Sequence, residues 1–381
     1  MPGAGALTNN GVAVSLNDFI LATDIAANKL VFTPVADANG AGYATFTFQV
    51  RDNGGTLSGG IDLDQTPNTL TLDVTSVNDA PLNTVPGAQV VNEDTVLVFT
   101  GANTLSINDV DAGAGNLSTQ LTVSNGRLNL TLAGAASISA GANNSATLTL
   151  TGLLTDLNAS FASLTYQGNL NFNGADSLQI VTSDLGKSGA GGVLTDSDTV
   201  TIAVGAVNNA PVNAVPAAQT VNEDAVLAFT GANTISVSDV DAGAGNLSSQ
   251  LSVSNGRLNL TLAGAASFSA GANNSATLTL TGSLTDLNAT LASLTYQGIL
   301  NFNGADSLQV LTSDLGNSGA GGVLSDSDTI AITVSPVNDA PQNTVPSAQT
   351  VDEDTVLTFS GPNTISISDL DTGTGNLSTQ L

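Results

Sequence analysis

The chain has 381 residues, with 32 acidic against 5 basic side chains, and it contains neither histidine nor cysteine. Nucleic acid and anionic membranes would be repelled by such a surface, and the missing residue types exclude disulfides, thiolate chemistry and the usual zinc, haem and iron–sulfur ligands. The apolar fraction of 41% is too high for an acidic disordered tail, so the chain should fold, and cations are its natural partners.

The first residues, "MPGAGALTNNGVAVSL", have no basic n-region and no compact apolar segment, so we do not expect them to form a secretory signal. No apolar run reaches the roughly 18 residues that a membrane-spanning helix needs. The segments "GYATFTFQVRDNGG" and "NTLTLDVTSVNDAP" that follow read as strands and are divergent relatives of segments that recur later in the chain.

Period-2 alternation of apolar residues predicts strands along most of the remaining chain. The segment "LTVSNGRLNLTL" alternates on both sides of Asn125-Gly126, which predicts a β-hairpin at that dipeptide. The segments "ATLTL", "SLQIV" and "TVTIAV" alternate in the same way, and "SDLGKSGAGGV" reads as a flexible loop between two of these strands. The pattern therefore predicts an all-β chain of antiparallel β-sandwiches with roughly seven to nine strands each.

One short helix is predicted at "TDLNASFASL". Thr155 is placed to cap it, and Leu157, Phe161 and Leu164 share one face at helical spacing.

A hexapeptide recurs along the chain as "SVNDAP", "AVNNAP" and "PVNDAP". Its asparagines Asn78, Asn208 and Asn338 are 130 residues apart (208 − 78 and 338 − 208), and residues 83–212 align with 213–342 without a gap. This spacing predicts four segments in an extended tandem array: the end of a divergent repeat at 1–80, complete repeats at 81–210 and 211–340, and the start of another at 341–381.

The acidic residues of each repeat gather at strand ends. Because successive strands of a sandwich run in opposite directions, "DVDAG" and the loop that begins at Asp184 should lie at the end of the repeat that receives the preceding linker. The "NED" motif should lie at the opposite end, facing the next linker. Carboxylates so close together repel one another, and with only oxygen ligands available Ca²⁺ is the cation that best suits such a ring.

In this order the motifs resemble the cadherin repeat: "VNEDT", then "DVDAGAGN", then "TSDLG", then a "VNDAP"-like linker. They are still more similar to the cadherin-like, VCBS-type tandem repeats of large bacterial surface or secreted (RTX-type) adhesins. That resemblance implies a Greek-key sandwich, extracellular location and Ca²⁺ at each joint between repeats. The implied ligands are Asn78, Asp79, Asp109, Asp111 and Asn116, with Asp184 nearby, at the first joint; Glu93, Asn208, Asn209, Asp239, Asp241 and Asn246, with Asp314 nearby, at the middle joint; and Glu223, Asn338, Asp339, Asp369, Asp371 and Asn376 at the third.

Other interpretations of these residues are weaker or stay open. An EF-hand at "DVDAGAGNLSTQ" lacks the final glutamate, whereas an ordinary Asx-rich turn at Asp109 and Asp111 is a real alternative. The animal-cadherin Asp-Arg-Glu motif has no clear counterpart, so fewer or weaker ions are expected at each joint. We expect no catalysis, because no nucleophile or aromatic-lined pocket accompanies Glu93 and Asp94.

The sequence therefore predicts a calcium-binding extension module of a bacterial adhesin, with calcium and neighbouring repeats of the same chain as partners and with host or cell-surface glycans or proteins as further candidates. Nucleic acid and direct membrane insertion are not expected. Two alternatives remain: repeats that bind a glycan or another repeat through a sheet edge, and passive spacers that fold without metal.

Overall fold

The computed structural model describes residues 1–186, 189–373 and 375–380 and is built almost entirely of β-strands. It divides into two units, Met1–Gly205 and Ala206–Leu381, and each is described by itself. The predicted boundaries at residues 80, 210 and 340 are finer than this division and stay predictions. No helix in the described part of the chain is long and apolar enough to cross a membrane.

The first unit contains the strands β1 (Ala6–Asn9), β2 (Val12–Ala13), β3 (Leu30–Thr33), β4 (Gly40–Phe48), β5 (Asn68–Val74), β6 (Leu82–Thr84), β7 (Gln89–Asn92), β8 (Val96–Val98), β9 (Ser106–Asn108), β10 (Asn116–Thr122), β11 (Gly126–Asn129), β12 (Ser137–Gly141), β13 (Thr147–Leu153), β14 (Thr165–Gly168), β15 (Gly174–Ser183) and β16 (Thr195–Gly205). Its helices are α1 (Ala22–Ala26) and α2 (Leu154–Phe161), with 3₁₀ turns at Leu57–Gly59 and Gly101–Asn103.

The complete repeat of the first unit is a sandwich of two sheets. One sheet has the order β12-β13-β10-β15-β16-β7 and the other β11-β14-β8, with β6 paired to β9 beside them. All pairs are antiparallel except β16 with β7, which run parallel. Ahead of the repeat, β1 pairs with β2 and β3, and β4 pairs with β5. The predicted all-β fold of antiparallel sandwiches is confirmed.

The second unit repeats this arrangement with β17 (Val212–Ala214), β18 (Gln219–Asn222), β19 (Val226–Ala228), β20 (Ser236–Ser238), β21 (Asn246–Ser252), β22 (Gly256–Asn259), β23 (Ser267–Ala270), β24 (Thr277–Ser283), α3 (Leu284–Leu291), β25 (Thr295–Gly298), β26 (Gly304–Ser313) and β27 (Ser325–Ser335). Its sheets have the orders β18-β27-β26-β21-β24-β23, β19-β25-β22 and β17-β20. The chain continues with β28 (Gln342–Thr344) and β29 (Ser366–Ser368), which pair with each other, and 3₁₀ turns lie at Gly231–Asn233 and Gly361–Asn363.

The core of each repeat comes from the alternation that predicted the strands. Along β13 every second residue is buried, and Leu148 and Leu150 are fully inaccessible to solvent. They pack in one cluster with Leu128 of β11 and Tyr166 of β14, which belong to the facing sheet. Burying a leucine side chain stabilises a fold by about 1.5–3 kcal/mol, so this cluster accounts for much of the stability of the repeat.

The predicted helix forms, but its start was predicted wrongly. Helix α2 begins at Leu154, so Thr155 lies inside it and does not cap it, and the N-cap residue Leu153 offers no side-chain hydrogen bond. In the second unit Ser283 stands at the N-cap of α3, and its side chain accepts a hydrogen bond from the backbone of Asp286. The predicted apolar face is confirmed, since Leu157 and Phe161 are fully buried.

The predicted hairpin at Asn125-Gly126 is also wrong. Strands β10 and β11 flank this dipeptide but belong to different sheets, so the chain crosses from one sheet to the other. The crossing is held by the buried carboxylate of Asp176, which accepts hydrogen bonds from the backbone N–H groups of Ser124 and Asn125 at 3.1 and 3.0 Å and from the Tyr166 hydroxyl at 2.9 Å.

Close packing explains the glycine of this crossing. Gly126 has no left-handed backbone, but a Cβ atom there would lie 2.3 Å from the ring of Tyr166 and 2.7 Å from the carbonyl oxygen of Gln167. The glycine lets β11 approach β14 at the buried tyrosine.

The predicted loop at "SDLGKSGAGGV" does connect the paired strands β15 and β16, although its residues 187 and 188 lie outside the described part of the chain.

We predict that Gly126→Ala destabilises the first complete repeat by about 1–3 kcal/mol. The new methyl group would overpack the core against the Tyr166 ring and against the backbone of Gln167, which cannot move away. The measurement is chemical unfolding of the full chain. Gly87→Ala is the matched control, because nothing lies within 4 Å of a Cβ at Gly87 and the second repeat already has Ala217 at the equivalent position. Equal effects of the two substitutions would contradict the packing argument.

Candidate functional site

The recurring linkers define three candidate joints: the first joint at Ser76–Pro81, the middle joint at Ala206–Pro211 and the third joint at Pro336–Pro341. The predicted residues of the first joint all lie in the first unit, and those of the third joint all lie in the second unit. At the middle joint the predicted residues lie in the second unit, apart from Glu93, which is described within the first.

Each Asp-x-Asp motif forms an Asx turn that uses one carboxylate oxygen. Asp109 comes directly after β9, and its Oδ1 atom accepts a hydrogen bond from the backbone N–H of Asp111 at 3.1 Å. The same bond recurs in the other copies, from Asp241 to Asp239 at 3.1 Å and from Asp371 to Asp369 at 3.0 Å. The ordinary turn that was the alternative to a metal site is therefore present, but it explains only one oxygen of each first aspartate.

The second aspartate of each motif holds the incoming linker. Asp111 Oδ2 accepts a hydrogen bond from the backbone N–H of Asp79 at 3.1 Å. The equivalent bonds run from Asn209 to Asp241 at 2.8 Å and from Asp339 to Asp371. The turn and the linker are thus brought together in all three copies.

Four oxygens in these groups are buried without a hydrogen-bond partner: Asp109 Oδ2, Asp111 Oδ1, Asp239 Oδ2 and Asn208 Oδ1. A buried oxygen that receives no hydrogen bond costs about 1–3 kcal/mol, and a charged one costs more. Burial, followed by the hydrogen bonding and charge of the neighbouring aspartate, raises the pKa of Asp109 to about 6, and the same causes raise the pKa of Asp239 to about 6. Burial and the neighbouring aspartate therefore disfavour the ionised form of Asp109 and of Asp239.

Asp184 has a different environment from Asp109, although it is also buried. Its Oδ1 atom accepts from the backbone N–H groups of Gly186 at 2.8 Å and Leu194 at 2.9 Å, and its Oδ2 atom accepts from the side-chain amide of Asn78. Burial acts to raise the pKa of Asp184, but the hydrogen bonds from Leu194, Gly186 and Asn78 outweigh it and leave the pKa lowered. Asp184 therefore stays charged and orients Asn78.

The second unit repeats this arrangement at Asn208 and Asp314. Asn208 Nδ2 donates to Asp314 Oδ2 at 2.5 Å and to the carbonyl oxygen of Gly322 at 2.8 Å, so the amide oxygen of Asn208 is turned away from these partners. The predicted residues Asn116 and Asn246 begin β10 and β21 with exposed side chains, and Asn376 is exposed as well. Asn338 is exposed, and its amide donates to the carbonyl oxygen of Asp339 at 3.0 Å.

The glutamates of the "NED" motifs lie at the opposite end of each repeat. Glu93 follows β7, is 3% exposed, and accepts a hydrogen bond from Asn173 at 3.3 Å. Glu223 follows β18 and accepts from Asn303 at 3.1 Å and from the backbone N–H of Val337 at 2.5 Å. The second of these bonds places Glu223 against the linker of the third joint.

Several carboxylates lie close enough to Asp339 in that linker to affect its pKa. Desolvation, together with the charges of Asp371, Asp224, Glu223 and Asp369, raises the pKa of Asp339. The structure therefore brings four of the six residues predicted for the third joint close together: Glu223, Asp339, Asp369 and Asp371.

Residues that were not predicted as ligands also lie at the third joint. The Asn301 amide lies between two carboxylates, and in the orientation that satisfies both its nitrogen is 3.2 Å from Asp339 Oδ2 and 3.2 Å from Asp224 Oδ2. The backbone N–H of Asn301 donates to Asp224 Oδ1 at 3.0 Å. The sequence feature that could have pointed to Asn301 is the asparagine-rich segment "LNFNGADSLQ", which is identical in both repeats.

Carboxylates alone do not form a complete ion cage. Within residues 1–186, 189–373 and 375–380, no three acidic side chains converge closely enough to hold an ion by themselves. Any cation at these joints would also need amide or backbone oxygens, such as the amide oxygen of Asn208.

Comparison with known proteins gives a partial family match and distant structural likenesses. A family model described as the Protein GAMETE EXPRESSED 2 domain matches residues 102–190. Comparison with curated proteins gave no match. Among solved structures the chain is similar to Protocadherin Gamma B2 extracellular cadherin domains 1–5, with 15% identity and a TM-score of 0.36 over 82% of this chain and 49% of that one.

It is also similar to mouse cadherin-23 EC22–24, with 18% identity and a TM-score of 0.33 over 81% of this chain and 79% of that one. It is similar as well to mouse protocadherin-24 EC1–3, with 16% identity and a TM-score of 0.34 over 87% of this chain and 90% of that one. The chain spans about half the length of the protocadherin gamma B2 domains it matches. These structures are cadherin repeats, the type that the sequence motifs resemble, but at such TM-scores they carry no argument about function. The matches lend no support to the predicted bacterial origin.

We predict that Asp109→Asn raises the unfolding midpoint of the first complete repeat by a few degrees when divalent cations are removed with chelator. The amide keeps the turn oxygen and takes away a charge that burial and Asp111 disfavour. The measurement is thermal unfolding of the full chain at neutral pH. Asp198→Asn is the control, because it removes one charge from β16 of the same repeat; an equal gain from both variants would show that only net charge matters.

Proposed function

We propose that this chain is a calcium-binding structural module of a bacterial cell-surface or secreted adhesin, with Ca²⁺ bound at the joints between its repeats. The observation that carries the proposal is the set of buried oxygens without hydrogen-bond donors at the joints, which includes Asp109 Oδ2, Asp111 Oδ1 and Asp239 Oδ2. The hydrogen bonds of the turn and of the linker do not reach these oxygens. The oxygens lie where two neighbouring carboxylates repel each other.

The donor set fits calcium better than other common metals. The residues at the joints offer carboxylate, amide and backbone oxygens, and the chain has no histidine or cysteine that would favour a transition metal. Calcium takes about six to eight oxygen ligands in a tolerant geometry, whereas magnesium needs a stricter octahedron. When bound, the ion would supply positive charge to oxygens that lack hydrogen-bond donors.

The chain's own residues would give such binding a mechanical effect. Asp111 holds the linker through the N–H of Asp79, and Asp184 orients Asn78 beside it. Pro81 and Pro86 fix their own φ angles and keep the residues before them out of helical conformation. Occupied joints would then restrict the linker and turn a flexible string of repeats into a stiff spacer that presents a distant adhesive site.

The adhesin assignment and the extracellular location rest on the tandem array and its acidic surface. The net charge of −27 suits a calcium-rich medium and repels nucleic acid. Neighbouring repeats of the same chain would be the direct partners, while any host or cell-surface glycan or protein would be bound elsewhere in the assembly. The chain has three tyrosines, eleven phenylalanines and no tryptophan, so a platform for stacking sugars is not evident.

We expect millimolar Ca²⁺ to raise the thermal unfolding midpoint of the full chain relative to chelator, because cation binding to the folded joints stabilises them by mass action. Mg²⁺ at the same concentration should give a smaller shift. The double variant Asp109→Ala with Asp239→Ala should lose most of the calcium increment, whereas Asp198→Asn with Asp328→Asn should keep it. A midpoint that calcium leaves unchanged would reject the metal joints and favour passive spacers, and specific hits on a glycan array would favour ligand-binding repeats.

We predict that the middle joint binds Ca²⁺ more weakly than the other two. Asn209 stands where the first and third joints have Asp79 and Asp339, and an amide keeps one coordinating oxygen while losing a full negative charge. In calorimetric titration of the full chain, Asn209→Asp should strengthen the weakest binding step, and Asp79→Asn should weaken one of the stronger steps. Unchanged isotherms in both variants would mean that this linker position is not a ligand.

A further inference from the structure

A lysine, an aspartate and an asparagine are in contact near the start of the first unit, far in sequence from the joints. Lys29 Nζ lies 2.8 Å from Asp24 Oδ1, and the side-chain amide nitrogen of Asn9 lies 3.2 Å from Asp24 Oδ2. One carboxylate therefore bridges an amine and a carboxamide. The chain has only two lysines, and this is the one in the described part of the structure.

The backbone fixes the three side chains in this arrangement. Asn9 ends β1 and is paired with Leu30, the first residue of β3. The N–H of Asn10 donates to the carbonyl oxygen of Lys29 at 2.9 Å, and the N–H of Lys29 donates to the carbonyl oxygen of Asp24, in α1, at 3.0 Å. The amine and the amide are thus held at the ends of neighbouring strands, with the carboxylate over both.

The hydrogen bonding of the Asn9 amide is incomplete. Its nitrogen donates to Asp24, but its Oδ1 atom is buried without a hydrogen-bond partner. The hydrogen bonds from Lys29 and Asn9 lower the pKa of Asp24, so its carboxylate is ionised and would hold a proton only in passing. A surface ion pair alone would account for the Lys29–Asp24 contact, but it would not require the amide on the other carboxylate oxygen.

We propose that Lys29 and Asn9 become joined by an intramolecular amide bond, with Asp24 as the proton carrier. The Nζ atom of Lys29, in its neutral form, attacks the Cγ atom of Asn9, and Asp24 takes the proton that the attacking nitrogen then releases. The Nζ–Cγ bond forms, the Cγ–Nδ2 bond breaks, and Asp24 returns the proton to the departing nitrogen. An ammonium group and a primary amide give a secondary amide and an ammonium ion, so no oxidant or other co-reactant is needed.

This bond would fasten β1 to the residue that leads into β3 and would close a covalent loop around α1. It is independent of the proposed calcium joints, because none of its three residues lies at a joint. Side-chain exposure of 42% for Lys29 and 21% for Asp24 leaves the ammonium partly hydrated. The attack needs the neutral amine, so we expect the link to form slowly and to accumulate at mildly alkaline pH.

The test is the intact mass of the purified full chain, before and after incubation at mildly alkaline pH. We expect a mass lower than that of the sequence by one ammonia. Digestion of the denatured chain with a protease that cuts before aspartate should then give residues 1–17 covalently attached to residues 24–36, since cuts fall before Asp18, Asp24 and Asp37.

Variants separate the link from other losses of ammonia. Asn10-Gly11 can lose ammonia by closing a succinimide, which needs no lysine, so the link is identified by the linked pair of fragments, which Lys29→Arg must abolish. Asn9→Asp should change the loss from ammonia to water. Asp24→Asn keeps both reactants and should slow linkage at least tenfold.

Three results would overturn the proposal: an intact mass equal to that of the sequence after incubation, no linked pair of fragments, or a linked pair that persists in Lys29→Arg. Undiminished linkage in Asp24→Asn would overturn the role of Asp24. Circular dichroism must show that Asp24→Asn is folded, because the link needs the folded arrangement of the three side chains, whereas the mass and fragments of the unsubstituted chain test the link without any variant.

Discussion

A shortage of hydrogen-bond donors around buried carboxylates governs the joints. A carboxylate has two oxygens and can accept several hydrogen bonds, whereas each backbone N–H can satisfy only one of them. At the first Asp-x-Asp turn, backbone N–H groups of the turn and the linker reach one oxygen of each aspartate, and Asp109 Oδ2 and Asp111 Oδ1 are left without donors. The raised pKa of Asp109 is the electrostatic consequence of this arrangement.

The rest of the repeat shows that this shortage is local. Asp176 is buried in the sandwich, yet it accepts from three backbone N–H groups and from the Tyr166 hydroxyl. Asp184, close to the first joint, is also supplied with donors on both oxygens. The same fold therefore satisfies buried carboxylates where they hold its own structure together. Against that background, the oxygens without donors at the linker are the observation on which the proposed cation rests.

The sequence predicted the parts of the structure that depend on periodicity. It failed where one contact between residues far apart in the chain determines the path of the backbone. Alternation located the strands, and helical spacing identified Leu157 and Phe161 as core residues. The Asn125-Gly126 dipeptide suggested a hairpin, but the strands on either side join different sheets because Asp176, far along the chain, fastens the crossing. No local pattern contains that information.

The candidate site shows the same division between what local sequence reveals and what it does not. Strand parity was enough to predict that Asp111 would meet the linker, because direction alternates from strand to strand. The presence of Asn301 between Asp224 and Asp339 could not be inferred, since asparagine-rich loops are common in any chain of many turns. Only the identity of that segment in the two repeats marked it.

Differences between the two complete repeats occur both in the core and near the linkers, while segments such as "GANNSATLTLTG" are identical. The core differences keep the chemical class of the side chain, as with Phe161 and Leu291 or Thr119 and Ser249, because close packing constrains what the interior accepts. Residues near the linkers, such as Val90 with 75% exposure, face no such constraint and can vary without loss of the fold. One of these differences, Asn209 against Asp79 and Asp339, falls on a linker residue whose backbone N–H is bound by the Asp-x-Asp turn. Because the sandwich does not depend on that side chain, its charge would be free, under the proposed function, to set the cation affinity of one joint separately from the next.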